Sequence, residues 1–291
     1  MGDGSTKIFM EIEDFGIPHN CSCFLVDNGS LKPESVMQLR EVACGLGALL
    51  GIPVHPVGLL HSPNVDPSEL GGFPAHGLET SLGKFLDYPV RQDILVVPQF
   101  FGPGRAVTGY LRGKLEGLGK KAAERGIRIR QADCLYRPGD DSAAVLAGIL
   151  AERVGEVMKD AQWTGLPMVV LVDHGSAVAE VVAARRAVAR ELAGLLNGFV
   201  QGVLDCSMER PEGADVQGTP LLSEVLQELD GDVPVVVAMM FFANGRHAGP
   251  GGDVERICRE YAKGEWVRAA PIGNHPALVQ LLARRAVQAM R

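Results

Sequence analysis

The sequence lacks several features that would place it outside the globular enzymes and small-molecule binding proteins. Its formal net charge is −7, so no basic surface is available to release counterions from a nucleic acid, and no nucleic-acid partner is expected. The longest apolar run, residues 233–243, is too short to cross a bilayer, and no signal-peptide pattern opens the chain. We therefore expect no membrane partner and a cytoplasmic location. The six cysteines form no paired CxxC motif, which argues against a structural zinc site.

Nucleotide-binding and nucleophile motifs are also lacking. The glycine-rich stretch at residues 249–252 has no Walker A lysine and is not a GxGxxG after a first strand, so no nucleotide cofactor is expected. Ser176 follows Asp-His-Gly and is not part of a GxSxG elbow. We interpret Ser176 as a helix N-cap. A hydrolase that uses Ser176 as its nucleophile is an alternative.

What the chain does contain is an internal repeat. The sequence FLVDNGS at residues 24–30 recurs as VLVDHGS at residues 170–176, and FFGPGRA at residues 100–106 recurs as FFANGRH at residues 241–247. Two motifs repeated in the same order indicate a duplicated unit.

The two copies differ at two positions that matter for chemistry. Asn28 and Ala106 stand in the first copy where His174 and His247 stand in the second. A duplication that kept the scaffold and lost two imidazoles from one copy predicts a single active site, in the C-terminal half.

Both halves alternate near-continuous apolar strands with helices, a pattern that indicates parallel sheets covered on both faces. We predict an α/β fold with two similar four-stranded halves, each with strand order 2-1-3-4, related by a pseudo-two-fold axis with a cleft between them. The N-terminal half spans residues 1–160 and the C-terminal half residues 161–291. Because the duplication is similar to a fused homodimer, we expect a monomer.

The ends of three predicted strands in the second half carry metal-binding residue types. His174 follows the first strand, His247 lies just beyond the third, and Glu209 follows the second, with Cys206 and Met208 beside it. Ligands of open parallel sheets bind outside the carboxyl ends of the strands, so these side chains should meet at one edge. Imidazole is a common ligand of divalent metals. We predict His174, His247 and Glu209 as ligands of an open metal site; the alternative for Glu209 is a solvated loop residue.

Glycines follow His247 at the start of a predicted helix. The backbone N–H groups of Gly251 and Gly252 could bind an anion there, with Arg246 and Arg210 as charge partners for a polycarboxylate substrate. A tight turn is an equally good reading of the glycines. The other histidines are interpreted as a helix cap or as loop residues: His275, His55, His61 and His76.

The motifs LVDHGS at residues 171–176 and FFANGRH at residues 241–247 resemble those of the class II tetrapyrrole chelatases, above all the sirohydrochlorin cobaltochelatase branch. The closing APIGNHPAL at residues 270–278 is similar to the last strand and helix of that branch. The chain departs from the family in its glycine-rich stretch after His247 and in its loop with His61.

The resemblance implies a lyase that inserts a divalent metal, without ATP, into sirohydrochlorin or a related tetrapyrrole in cobalamin or sirohaem biosynthesis. It favours Co²⁺, although Fe²⁺ and Ni²⁺ also suit imidazole and carboxylate ligands. It implies that His174 and His247 bind the ion and take the pyrrole protons, with Glu209 as a third ligand. A non-catalytic carrier of the metal or the tetrapyrrole, using the same two histidines, is the alternative.

Overall fold

The computed structural model describes residues 17, 21–88, 93–161, 163, 165–214 and 220–291. Within these residues the strands form two four-stranded parallel sheets, each built from one half of the chain.

The first half alternates strand and helix as predicted. Its elements are β1 (Cys21–Asp27), α1 (Pro33–Leu50), β2 (Val54–Gly58), α2 (Leu78–Asp87), β3 (Asp93–Pro98), α3 (Arg112–Glu124), β4 (Ile129–Gln131) and α4 (Ser142–Asp160). A π-helical segment, Ala106–Leu111, leads into α3.

The second half repeats the plan. Its elements are β5 (Met168–Asp173), α5 (Ala179–Leu195), β6 (Gly202–Ser207), α6 (Leu222–Glu228), β7 (Val235–Met239), α7 (Asp253–Tyr261), β8 (Trp266–Arg268) and α8 (Pro276–Met290). The last helix begins with a proline, and the His275 side chain accepts a hydrogen bond from the Ala277 N–H, so the prediction of a histidine cap is confirmed.

The order of the strands is β2-β1-β3-β4 in the first sheet and β6-β5-β7-β8 in the second, which confirms the predicted 2-1-3-4 arrangement. The register is also repeated: Asp27 lies opposite Gly58, and Asp173 lies opposite Ser207. The first and third strands of each half are therefore neighbours, and their carboxyl ends share one edge.

The sheets and helices form layers. Helices α2 and α3 cover the outer face of the first sheet, and α6 and α7 cover the outer face of the second. Between the sheets lie α1, α4, α5 and α8, which share one apolar core with the inner faces of both sheets. The central strands β1, β3, β5 and β7 are therefore buried on both faces, which explains their near-continuous apolar sequences.

The closing helix of each half packs on the opposite sheet. Helix α4 lies against α5 and β7, whereas α8 lies against α1, β3 and β4. Arg285 of α8 is fully buried and donates to the carbonyl of Leu135 in the first half. Phe101 and Phe242, which are equivalent positions of the repeat, stack with ring centroids 4.2 Å apart. The halves are thus joined by exchanged helices; the boundary between residues 160 and 161 stays a prediction.

Some predicted boundaries were wrong. The apolar sequence predicts the second strand of the second half at residues 199–205, but β6 runs from Gly202 to Ser207. Phe199 is 65% exposed in the turn before it. Asp205 and Ser207, polar residues that suggest the end of a strand, bond the buried Arg185 guanidinium, so β6 continues to Ser207. No described helix is long and apolar enough to span a bilayer.

Candidate metal centre

Backbone hydrogen bonds at the ends of β5 and β6 place His174 beside Glu209. The Met208 N–H donates to the Asp173 carbonyl at 2.8 Å, and the Glu209 N–H donates to the His174 carbonyl at 3.2 Å. Gly175 has φ +106°, and a Cβ on it would lie 2.0 Å from the Glu209 carbonyl oxygen. Only glycine allows the two chain segments to approach this closely.

His174 and His247 meet at this edge of the sheet, as the sequence predicted from their strand ends. Their ring centroids are 4.8 Å apart and the rings are nearly perpendicular, at 87°. The His174 side chain is 49% exposed and the His247 side chain 32%. Both imidazoles are therefore within reach of one ion that arrives from solvent.

Each imidazole has a carboxylate at its Nδ1 atom. Glu209 Oε1 lies 3.3 Å from His174 Nδ1, and Asp253 Oδ2 lies 2.5 Å from His247 Nδ1. A carboxylate in this place holds the proton on Nδ1, fixes the ring and leaves the Nε2 lone pair for a metal. The sequence analysis did not identify Asp253 as part of the centre, because its position after the glycine-rich stretch at residues 249–252 indicates only the start of a helix.

The environment of His247 favours its neutral form. Partial burial and the nearby Arg246 guanidinium lower the pKa of His247 below its usual 6.5, against the opposing effect of Glu209. Since only the neutral imidazole binds a metal, His247 is available as a ligand at neutral pH.

The glycine-rich loop forms a tight turn whose N–H groups already have acceptors. The Gly251 N–H donates to Glu255 Oε2 at 2.8 Å, and the Gly252 N–H donates to the Gly249 carbonyl at 2.9 Å. A Cβ on Gly252 would lie 2.7 Å from the His247 carbonyl oxygen, so glycine is needed there. An anionic substrate would have to displace Glu255; the anion-binding role of Gly251 and Gly252 stays a prediction.

The two predicted arginines lie in different surroundings. Arg246 is exposed and adjacent to His247, on which it acts electrostatically. Arg210 donates to Glu224 Oε2 at 2.7 Å and so is held toward the start of α6. The structure therefore brings Arg246 to the histidine pair, whereas Arg210 is already paired with a carboxylate.

Three predictions about neighbouring residues were wrong. Cys206 is fully buried and Met208 is 8% exposed, and both side chains pack in the apolar core under α6 and α7 instead of opening to solvent. Ser176 is not the N-cap of α5, because that position is occupied by Val178. Its Oγ accepts a hydrogen bond from the Val178 N–H at 3.0 Å, in a turn that precedes the helix.

The first half reproduces the backbone of the centre without its ligands. The Leu59 N–H donates to Asp27, and the Leu60 N–H donates to Asn28, as their counterparts do in the second half. Gly29 has φ +82°, and a Cβ on it would lie 1.8 Å from the Leu60 carbonyl oxygen. Asn28 and Leu60 thus stand in the places of His174 and Glu209, and Ala106 stands in the place of His247 in the sequence.

Within the described part of the chain, no group of three or more His, Cys, Asp or Glu side chains is arranged to hold a metal ion. The centre is a pair of imidazoles supported by carboxylates. The role of Glu209 as a third ligand stays a prediction, since in this conformation its carboxylate faces His174 Nδ1.

No family model and no curated protein matches the chain. The two four-stranded parallel sheets from two similar halves confirm the predicted α/β fold class, and two solved structures share this fold. The structure is similar to SirB from Bacillus subtilis, solved with Fe³⁺, at 17% identity and a TM-score of 0.60, over 91% of this chain and 93% of that one.

A second similar structure is DR2241 from Deinococcus radiodurans, a multi-domain protein with structural similarity to chelatases and two additional novel domains. The match has 20% identity and a TM-score of 0.56, over 92% of this chain and 55% of that one. Likeness at these identities establishes a shared fold.

Proposed function

We propose that the protein inserts a divalent metal ion into a tetrapyrrole without ATP, and that the C-terminal half carries the single active site. The observation that carries this proposal is the convergence of His174 and His247, 4.8 Å apart, each with a carboxylate at Nδ1. The likeness of the fold to chelatase-like proteins supports it.

The histidine pair suits an ion that is a substrate. An ion bonded to two imidazole nitrogens at about 2.1 Å holds them roughly 3.4 Å apart, a spacing within reach of two rings that already face each other. Two protein ligands leave positions for water and for the nitrogens of the incoming ring. Such a site binds the ion weakly enough to release it. We propose Glu209 as the third ligand, which would turn from His174 Nδ1 to the ion.

Metal insertion also releases two pyrrole protons, and the same imidazoles can accept them. While the ion is bound, each Nε2 lone pair is occupied by the metal. When the ring nitrogens take over the ion, each lone pair becomes available for a proton. Asp253 at His247 Nδ1, and Glu209 once it has turned back from the ion to His174 Nδ1, then stabilise the imidazolium ions that form.

The finer assignment rests on the sequence resemblance. We propose sirohydrochlorin or a close relative as the tetrapyrrole and Co²⁺ as the preferred ion, with Fe²⁺ and Ni²⁺ as substitutes, in cobalamin or sirohaem biosynthesis. Arg246, Arg210, Gly251 and Gly252 are proposed to meet the carboxylates of the ring. The protein is proposed to act as a cytoplasmic monomer with no nucleotide.

The proposal is tested by metallation of sirohydrochlorin in the presence of Co²⁺, followed by the change in absorbance. The His174→Ala variant is expected to lower the rate by about 100-fold or more, because it removes both a ligand and a proton acceptor. The matched control is Asn28→Ala, at the same backbone position of the first half, which should leave the rate unchanged. Tight Co²⁺ binding without acceleration would favour the carrier, and no effect of His174→Ala would refute the proposed site.

A further inference from the structure

A buried polar cluster lies directly beneath the candidate metal centre. Arg185 of α5 and Ser207 of β6 are fully buried, and Asp173 of β5 is 6% exposed. Arg185 Nη1 lies 3.1 Å from Asp173 Oδ1, and Arg185 Nε lies 2.8 Å from Asp205 Oδ2. Arg185 also donates to Ser207 Oγ, which in turn donates to Asp173 Oδ1 at 2.7 Å. One guanidinium therefore links the last residues of two adjacent strands.

The fold itself does not require this cluster. Leu39 occupies the same position along α1 as Arg185 does along α5, and Pro56 and Gly58 of β2 occupy the positions of Asp205 and Ser207. The first half nevertheless forms the same sheet in the same register. Burying a guanidinium with two carboxylates costs free energy, and well-packed apolar residues in their place often leave the stability of a core unchanged or increase it.

The cluster occurs in the half that carries the imidazoles. In the first half, Arg40 of α1 donates to the carbonyls of Leu70 and Phe73, and Asp27 Oδ1 accepts a hydrogen bond from the Gly29 N–H. Asp173 directly precedes His174, and Ser207 lies two residues before Glu209. Whatever fixes Asp173 against Ser207 thus also fixes the backbone from which His174 and Glu209 project.

We infer that Arg185 is a positioning residue of the metal centre: by holding Asp173 and Ser207 together it sets His174 against His247 and Glu209. This inference rests on the proposed function. The guanidinium suits the task because its planar fork donates in several fixed directions at once, which a lysine ammonium does not reproduce. Replacing a residue that holds a metal ligand in place commonly changes the metal affinity by about 10- to 100-fold.

The test compares two buried arginines. Arg185→Lys keeps the charge but loses the simultaneous contacts with Asp173, Asp205 and Ser207. Arg285→Lys is the matched control, because Arg285 is equally buried and has a carboxylate partner, Asp140, but lies in α8 among residues of the first half. Ser207→Ala is a milder second variant, in case Arg185→Lys does not fold.

Three quantities are measured for each variant: the midpoint of thermal unfolding, the Kd for Co²⁺, and the visible absorption of bound Co²⁺, which reports the geometry of its ligands. We expect Arg185→Lys and Ser207→Ala to raise the Kd by about 10-fold or more and to alter the spectrum. Arg285→Lys should lower the unfolding midpoint without changing either. Equal Kd values for the folded Arg185→Lys and Arg285→Lys proteins would overturn the inference.

Failure of the proposed function gives a different result. A protein that binds Co²⁺ through His174, with an affinity that depends on Arg185, yet metallates no tetrapyrrole overturns the activity and leaves the positioning role standing. A protein in which His174→Ala does not change Co²⁺ binding overturns both.

Discussion

Replacing Gly175 by alanine tests the close approach on which the metal centre is built. Gly175 has φ +106°, and the new Cβ would lie 2.0 Å from the Glu209 carbonyl oxygen and 3.4 Å from Ser207 Cβ. A left-handed conformation costs an alanine about 1–2 kcal/mol, and overpacking of a tight site adds about 1–3 kcal/mol. We therefore expect Gly175→Ala to lower the free energy of unfolding by about 2–5 kcal/mol, a large part of the total of a typical domain.

The repeat supplies a control with nearly the same strain. Gly29 has φ +82°, and its added Cβ would lie 1.8 Å from the Leu60 carbonyl oxygen. Gly29→Ala should therefore destabilise the protein by a similar amount. Only Gly175→Ala should also weaken Co²⁺ binding, because the segment that must move carries Glu209 in the second half and Leu60 in the first.

Urea unfolding and Co²⁺ titration of both variants, at a temperature where both are folded, separate the two effects. The expected result is a similar loss of stability with a loss of Co²⁺ affinity in Gly175→Ala alone. Equal Co²⁺ affinities of the two variants would refute the link between this glycine and the metal centre. An unchanged free energy of unfolding in Gly175→Ala would refute the steric argument.

Three further predictions use the same geometry. Asp253→Asn removes the carboxylate from His247 Nδ1 and should weaken Co²⁺ binding by about 10- to 100-fold in a titration; an unchanged affinity would show that Asp253 does not orient the ring. Burial raises the pKa of Asp27 from 3.8 to about 7, so its contribution to stability is complete below pH 3.8 and is lost as the pH rises through 7. Asp27→Asn should therefore have a higher free energy of unfolding than the unaltered protein in urea at pH 8. Asp173→Asn should instead lower the free energy of unfolding by about 1–3 kcal/mol, because Arg185 loses a carboxylate partner.

The fold could be predicted from the sequence because the central strands are buried on both faces and the pattern of strands and helices occurs twice. The helical periodicity of residues 33–50 and 276–290 and the apolar run at residues 168–173 predict α1, α8 and β5 with their observed bounds. The strand order could be expected because 2-1-3-4 is a common order in open parallel α/β sheets. The exchange of α4 and α8 between the sheets could not be predicted, because an apolar helix face fits either inner surface and the sequence does not say which one it covers.

The metal centre could be predicted only as far as the repeat differs between its copies. The loss of two imidazoles from the first half identified His174 and His247. The same comparison contained a further signal, since Leu39 in the first half corresponds to Arg185 in the second. It was missed because a charged residue in a helix is usually exposed, and only the packing shows Arg185 to be fully buried.

Packing between the two halves explains why the protein keeps a half that has no metal ligands. The inner face of the second sheet is covered by α5 and by α4, and α4 belongs to the first half of the chain. Helix α8 follows the metal centre in the sequence, yet its buried leucines pack in the shared core against the first sheet. Residues 161–291 alone would expose the inner face of the second sheet and the buried leucines of α8. Strand β7, whose end carries His247, would then lose the packing on one face. The first half therefore supports the metal centre through the core, and truncating the apolar side chains of α4 that pack on β7 should weaken Co²⁺ binding more than Asn28→Ala does.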